Sequence, residues 1–193
     1  MKALCVFCGS SFGANPQFVL EAKIVGKTLA ENNVTLVYGG ANVGLMGAVA
    51  DSALEHGGKV IGVLPRFLQK KEIAHPGLTD LIFCETMHQR KTKMYEISQG
   101  FLGLPGGFGT LEEISEILTW QQLGMHEHPV GFLNIGGFYD HLEKLFETMK
   151  TCELLKPENR DMSLFDDSFD SLFERMKVYK APKVSKWLDK ARS

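Results

Sequence analysis

Two groups of side chains able to do chemistry stand out, and both sit near glycine loops. Glu113 lies in TLEEISEILTW, just past the run Pro105-Gly106-Gly107-Phe108-Gly109. A carboxylate in that position can orient a water or stabilise a developing cation. Arg90 and Lys91 stand side by side in MHQRKTKMYEI. Arg90 presents a planar fork of donors that suits a phosphate or carboxylate. The glycines form three loops: Gly9-Ser10-Ser11, then Gly39-Gly40 with Gly44 and Gly47, then Gly106-Gly107 with Gly109. Backbone N–H groups in such loops, ahead of a helix N-terminus, can hold an anion without a basic side chain. One such loop alone reads as a tight turn. Three on one edge of a sheet point to a phosphate-bearing small molecule.

Each candidate also has a plainer reading. Thr110-x-x-Glu113 matches a capping box, and spacing alone favours that task for Glu113. If MHQRKTKMYEI is helical, Met87, Met94 and Ile97 mark a loose apolar stripe, and Arg90 and Lys91 share Met87's face. Pattern leaves two readings even. Either one cation snorkels while the other pairs with an acid, or an anionic ligand meets them. Glu72 in LQKKEIAHPG and Glu85 read as solvent-exposed acids. Cys5 and Cys8 form C-x-x-C inside an apolar strand-like run. Residues three apart in a strand face opposite sides, so they read as free core thiols rather than a redox pair. His126 and His128 flank one Glu and read as solvated. No Cys or His pair has convincing zinc spacing, so no metal is expected; no cofactor is expected either.

These residues need a frame to hold them. Short β-like runs cover Ala3–Cys8, Thr35–Tyr38, Val60–Leu64, Leu81–Cys84, Gly100–Leu104, Val130–Leu133 and Ser163–Phe165. Amphipathic stretches cover Pro16–Asn32, Gly44–His56, Gln89–Ser98, Thr110–Gly124, Tyr139–Thr151 and Ser168–Tyr179. The alternation predicts a Rossmann-like, doubly wound α/β fold, with a mainly parallel sheet and helices on both faces. The strands are nearly all apolar, as expected when both faces are covered. Ligands then bind beyond the carboxyl ends of the strands, where all three glycine loops fall. Neither nucleotide fingerprint fits. Gly40-x-x-x-Gly44-x-x-Gly47 is not G-x-G-x-x-G, and no Walker lysine follows a loop.

The chain has 193 residues, enough for one domain with a substantial core. Its net charge of -2 gives no basic field for nucleic acid or acidic membranes. No apolar stretch is long enough to span a bilayer, and the N-terminus does not read as a signal peptide. The expected compartment is the cytoplasm. The stretch 177–193 is a basic C-terminal tail, either a peripheral helix around Trp187 or a loose end.

PGGFGTLEE at Pro105–Glu113 resembles the P-G-G-x-G-T-x-x-E signature of the LONELY GUY family, and MHQRK at Met87–Lys91 resembles its second motif. YGGANVGLMG at Tyr38–Gly47, CVFCGSS at Cys5–Ser11 and the stretch from Leu118 to Asp140 are similar to it as well. The resemblance implies a cytokinin riboside 5′-monophosphate phosphoribohydrolase, which splits a nucleoside 5′-monophosphate into an adenine-type base and ribose 5-phosphate. It implies Arg90 and Glu113 as the catalytic pair. It further implies Glu72, Lys91, Gly107, Phe108, Gly109, Thr110, Leu111, Glu112 and Thr119 as substrate contacts. The glycine-loop reading adds Gly9, Ser10, Gly39 and Gly40. A homodimer with active sites near the subunit interface is implied too. Bacterial members were long labelled lysine decarboxylases. That rival chemistry needs a Schiff-base lysine, and no lysine is singled out. A second rival is a non-catalytic nucleotide or cofactor carrier of the same fold.

Overall fold

Residues 1–69 and 74–182 of the chain are described by a computed structural model. Seven strands form one sheet: β1 (Ala3–Phe7), β2 (Thr35–Tyr38), β3 (Val60–Pro65), β4 (Asp80–Cys84), β5 (Phe101–Gly103), β6 (Val130–Leu133) and β7 (Ser163–Asp166). All neighbours are parallel, in the order β4-β3-β2-β1-β5-β6-β7. The helices are α1 (Gln17–Glu31), α2 (Gly44–Glu55), α3 (Arg66–Gln69), α4 (Met87–Glu96), α5 (Phe108–Gln122), α6 (Asp140–Thr151), α7 (Pro157–Arg160) and α8 (Phe169–Lys177). A 3-10 turn covers Ile135–Gly137. The doubly wound α/β expectation is met.

Burial on both faces explains the apolar strands. Every residue of β1 is buried. Leu4, Val6 and Cys8 join one core cluster with residues of α1, α2 and α8, while Ala3, Cys5 and Phe7 join another with Met94, Ile114 and Ile117. Cys5 and Cys8 thus lie on opposite faces as free thiols.

Several boundaries differ from the sequence reading. The predicted helix at Gln89 begins two residues earlier, at Met87, because Thr86 caps it. The Thr86 hydroxyl accepts the Gln89 N–H at 3.2 Å, and Gln89 Oε1 accepts the Glu85 N–H at 2.9 Å. The helix expected from Thr110 begins at Phe108, with Gly107 as its N-cap. Thr110 is therefore inside the helix, and the expected capping box is out of register. His126 is buried rather than solvated. Its Nε2 lies 3.0 Å from Ile117 O, and its ring packs near Tyr95 and Phe101. His128 stacks on it and is half-buried. The short α3, α7 and 3-10 turn are too brief to show a periodicity. Glu72 and the tail beyond residue 182, with Trp187, lie outside the described residues.

Chain direction positions the site. β1 lies between the run β2, β3, β4 on one side and β5, β6, β7 on the other. The crossover sense reverses there, which opens a crevice outside the carboxyl ends of β1 and β5. The two ends are tied together. Leu104 N–H donates to Phe7 O at 2.9 Å, and Gly9 N–H donates to Pro105 O at 3.0 Å. The first and third glycine loops therefore face each other across the switch point.

Candidate active site

A cleft of about 340 Å³ opens between them, lined by Gly9–Gly13 on one side and Pro105–Gly107 on the other. A second cleft of about 310 Å³ adjoins it across Gly106, Gly107 and Phe138. Its remaining wall is apolar: Phe108, Leu111, Tyr139 and Leu142. Tyr139 is fixed there because its hydroxyl donates to Leu104 O at 2.6 Å and its N–H donates to Asn134 Oδ1 at 2.6 Å. Two troughs thus share a glycine wall at the start of α5: the first combines the Gly9–Ser11 loop with Phe12, Phe18, Leu45 and Phe138, and the second is apolar beyond its glycines. Gly106 cannot carry a side chain, since Thr110 Oγ1 and Cβ occupy that space. Gly107 and Gly109 are open, and a methyl at either would meet nothing within 4 Å.

Arg90 and Glu113 form a buried ion pair between α4 and α5, through Arg90 Nη1 and Glu113 Oε1, each side chain 11% exposed. Arg90 is further held by its Nε–H, which donates to Val63 O at 3.1 Å. Burial pushes the Glu113 carboxyl above the ordinary carboxylate range, and the Arg90 charge only partly offsets that. Lys91, one residue on, reaches Glu112 at 2.5 Å and Glu116 at 3.0 Å. Burial pulls its ammonium down, but the two carboxylates outweigh burial and leave it raised. Both cations therefore pair with acids of α5, and neither snorkels outward. Neither Arg90 nor Glu113 lines either trough; burial pushes the thiol of Cys8, next to Gly9, well up.

Not every anticipated residue joins this group. Ser10 is exposed and lines the first trough with Gly9. Gly39 and Gly40 line neither cleft. A side chain at Gly39 would strike the Arg90 guanidinium, and Gly40, at φ 80°, packs against Leu81, Leu64 and Gly62. Thr119 lies roughly 9 Å farther along α5 by helical rise. It lines a separate cleft of about 210 Å³ with Phe146, Met149 and Leu155. Glu112 and Leu111 are exposed, the first toward Lys91 and the second on the apolar trough. Glu85 is exposed and pairs with Arg66 at 2.7 Å. Phe138, which lines both troughs, was not anticipated. Its signal was the fourth glycine pair, Gly136-Gly137, at the same carboxyl edge.

A family model described as "Possible lysine decarboxylase" matches residues 46–176. The cytokinin riboside 5′-monophosphate phosphoribohydrolase LOG5 of Arabidopsis thaliana is 38% identical over 179 residues, which cover 93% of this chain and 78% of its own length. The enzyme of that name from Rhodococcoides fascians is 47% identical over 129 residues, 66% of this chain and 65% of its own. The chain belongs to the LONELY GUY family of phosphoribohydrolases. Among solved structures, the molybdenum cofactor binding protein of Rippkaea orientalis superposes with a TM-score of 0.68 at 21% identity, covering 92% of this chain and 96% of that one. The molybdenum cofactor carrier protein of Chlamydomonas reinhardtii reaches 0.69 at 19% identity, covering 91% and 94%. Those two likenesses are of fold alone. Among the described residues of this LONELY GUY family member, no helix is long and apolar enough to cross a membrane.

Proposed function

We propose that this protein hydrolyses the N-glycosidic bond of N6-modified adenosine 5′-monophosphates and releases the free base and ribose 5-phosphate. The buried Arg90–Glu113 pair, about one and a half turns along α5 from its open glycine N-terminus, carries the reading. Cleavage of a ribosyl N–C bond passes through an oxocarbenium-like state. Glu113 faces that cation as a carboxylate and activates the attacking water. A guanidinium offers donors and no acceptor, so Arg90 orients phosphate or ribose oxygens and Glu113 rather than moving a proton. The 5′-phosphate takes the trough between Gly9–Ser11 and Gly106–Gly107, where its binding energy positions the anomeric carbon. The base extends along the apolar trough past Phe108 and Leu111. Lys91 and Glu112 flank it, and Glu72 is the remaining expected contact.

Adenosine 5′-monophosphate and its N6-prenyl analogue should each yield free base, read by chromatography after overnight incubation. Tight binding with no base released would favour a carrier instead.

The working unit is a cytoplasmic homodimer. Phe108 is 93% exposed and Leu154 82% exposed, with Leu111, Phe138 and Leu145 also open near α5 and α6. A soluble monomer seldom leaves so much apolar surface uncovered. Sedimentation should return about twice the chain mass, and a monomer at micromolar concentration would remove the dimer from the proposal.

A further inference from the structure

His75 is 8% exposed, yet it lines neither trough. Both ring nitrogens are engaged. Nδ1 accepts the Gly77 N–H at 3.0 Å, which leaves the ring proton on Nε2. Nε2 then donates to Asp51 Oδ1 on α2 at 2.9 Å. The main chain of the same segment grips the second glycine loop. His75 N–H donates to Gly40 O at 2.9 Å, and Ala74 pairs with Ala41 in an isolated antiparallel bridge. Gly39, next in that loop, packs against the Arg90 guanidinium. A continuous path therefore runs from Asp51 through the His75 ring and backbone to the turn that backs Arg90.

We propose that His75, oriented by Asp51, is a positioning residue: it clips the Gly39–Ala41 turn against Arg90 and so keeps the guanidinium aligned with Glu113. The kinetic consequence rests on the hydrolase reading above, but the clip itself does not. An anchor that served only the fold would lower the melting temperature and leave Arg90 unmoved. A clip acts on Arg90 as well. Second-layer hydrogen bonds of this kind set how precisely a reacting group is held.

Three variants test it. Asp51→Ala removes the acceptor at a side chain 59% exposed, so the core stays closed. Asp51→Asn keeps an oxygen that accepts from Nε2–H. His75→Ala removes both ring bonds. Each is assayed for base release from adenosine 5′-monophosphate, well below its melting temperature. Solvent exchange of the Arg90 Nε–H, which the bond to Val63 O protects, is followed by 15N NMR. In Asp51→Ala and His75→Ala, kcat should fall on the order of 10-fold with KM within about 2-fold, less than the ~100-fold that a 1 Å misplacement costs. The Arg90 Nε–H should exchange faster in both. Asp51→Asn should keep most of kcat and wild-type exchange. Unchanged kcat and exchange in folded Asp51→Ala, or an Asp51→Asn variant as impaired as Asp51→Ala, would overturn the clip. If the wild-type protein released no base, the hydrolase reading would fail while the exchange measurement still decided the clip.

Discussion

The second and third glycine loops are alike in composition and opposite in use. Both follow a strand at the carboxyl edge and feed a helix. In the second, the start of α2 is already covered. Leu45 N–H donates to Gly9 O at 3.1 Å, and Gly44, at φ 57°, lies against the backbone of Ser10 and Ser11. Gly47 abuts Asn42 O, and Gly39 abuts Arg90. These glycines let protein approach protein. In the third loop, Gly107 and Gly109 have open space where a side chain would be, and Gly107 caps α5 with no side-chain partner. A helix leaves its first N–H groups unpaired, and here they stand beside two troughs. The same residue type therefore marks a packed seam in one loop and a ligand surface in the other. What separates them is whether another part of the protein, backbone or side chain, lies within reach.

The largest effect expected from breaking this contrast is at the carboxylate the open loop serves. Glu113→Gln should stay folded and lose about 100- to 10,000-fold in turnover. The pH profile sharpens the assignment. Burial holds the Glu113 carboxyl above its ordinary value of 4.5, with Arg90 opposing. A raised value keeps the acid protonated to higher pH, so activity that needs the carboxylate climbs as pH rises through it. The acid limb of kcat/KM should thus lie above 4.5 in wild type. A limb at or below that value, or normal turnover in Glu113→Gln, would remove Glu113 from the chemistry.

The packed loop should fail differently. A methyl at Gly44 would overlap the Ser10 carbonyl carbon and the Ser11 nitrogen in a left-handed backbone. Strain and overpacking together should cost Gly44→Ala roughly 3 kcal/mol or more. Urea unfolding reads this directly. A loss under about 1 kcal/mol would mean that the seam yields and that the loop is not closed as described.

The strands were legible because burial on both faces leaves long apolar runs such as Ala3–Cys8 and Val60–Leu64. The carboxyl-edge cluster followed from strand order and glycine placement. What pattern could not settle were facts made by tertiary contact. Arg90 and Glu113 are separated by a strand and a turn, and no local spacing announces their pair. Thr110 and Glu113 have capping-box spacing, but Gly107 starts the helix earlier and leaves the carboxylate free to meet Arg90. The Thr86–Gln89 cap was present in sequence and unread, which displaced the start of α4. His126 appeared polar and solvated because nothing local shows that Tyr95 and Phe101 cover it. Gly39 and Gly107 are indistinguishable by residue type, since Arg90 approaches one from a distant helix and nothing approaches the other.

The smallest effect is the most discriminating. At Gly109, inside the first turn of α5, an added methyl meets nothing within 4 Å. Alanine there removes unfolded-chain freedom and favours helix, so Gly109→Ala should gain up to about 0.5–1 kcal/mol, or roughly 1–4 °C in melting temperature. Gly109 lies two residues past Gly107, which lines both troughs; if the phosphate reaches the first N–H groups of α5, the methyl weakens one charge-assisted contact and should raise KM for the monophosphate about 10-fold. Stability and affinity should therefore move in opposite directions at this one position, whereas at Gly44 stability alone falls. A Gly109→Ala protein that is more stable and binds nucleotide as wild type would show that the nucleotide does not reach Gly109. One that is less stable would show that the third loop is packed like the second, because only a neighbouring atom could turn the gain into a loss.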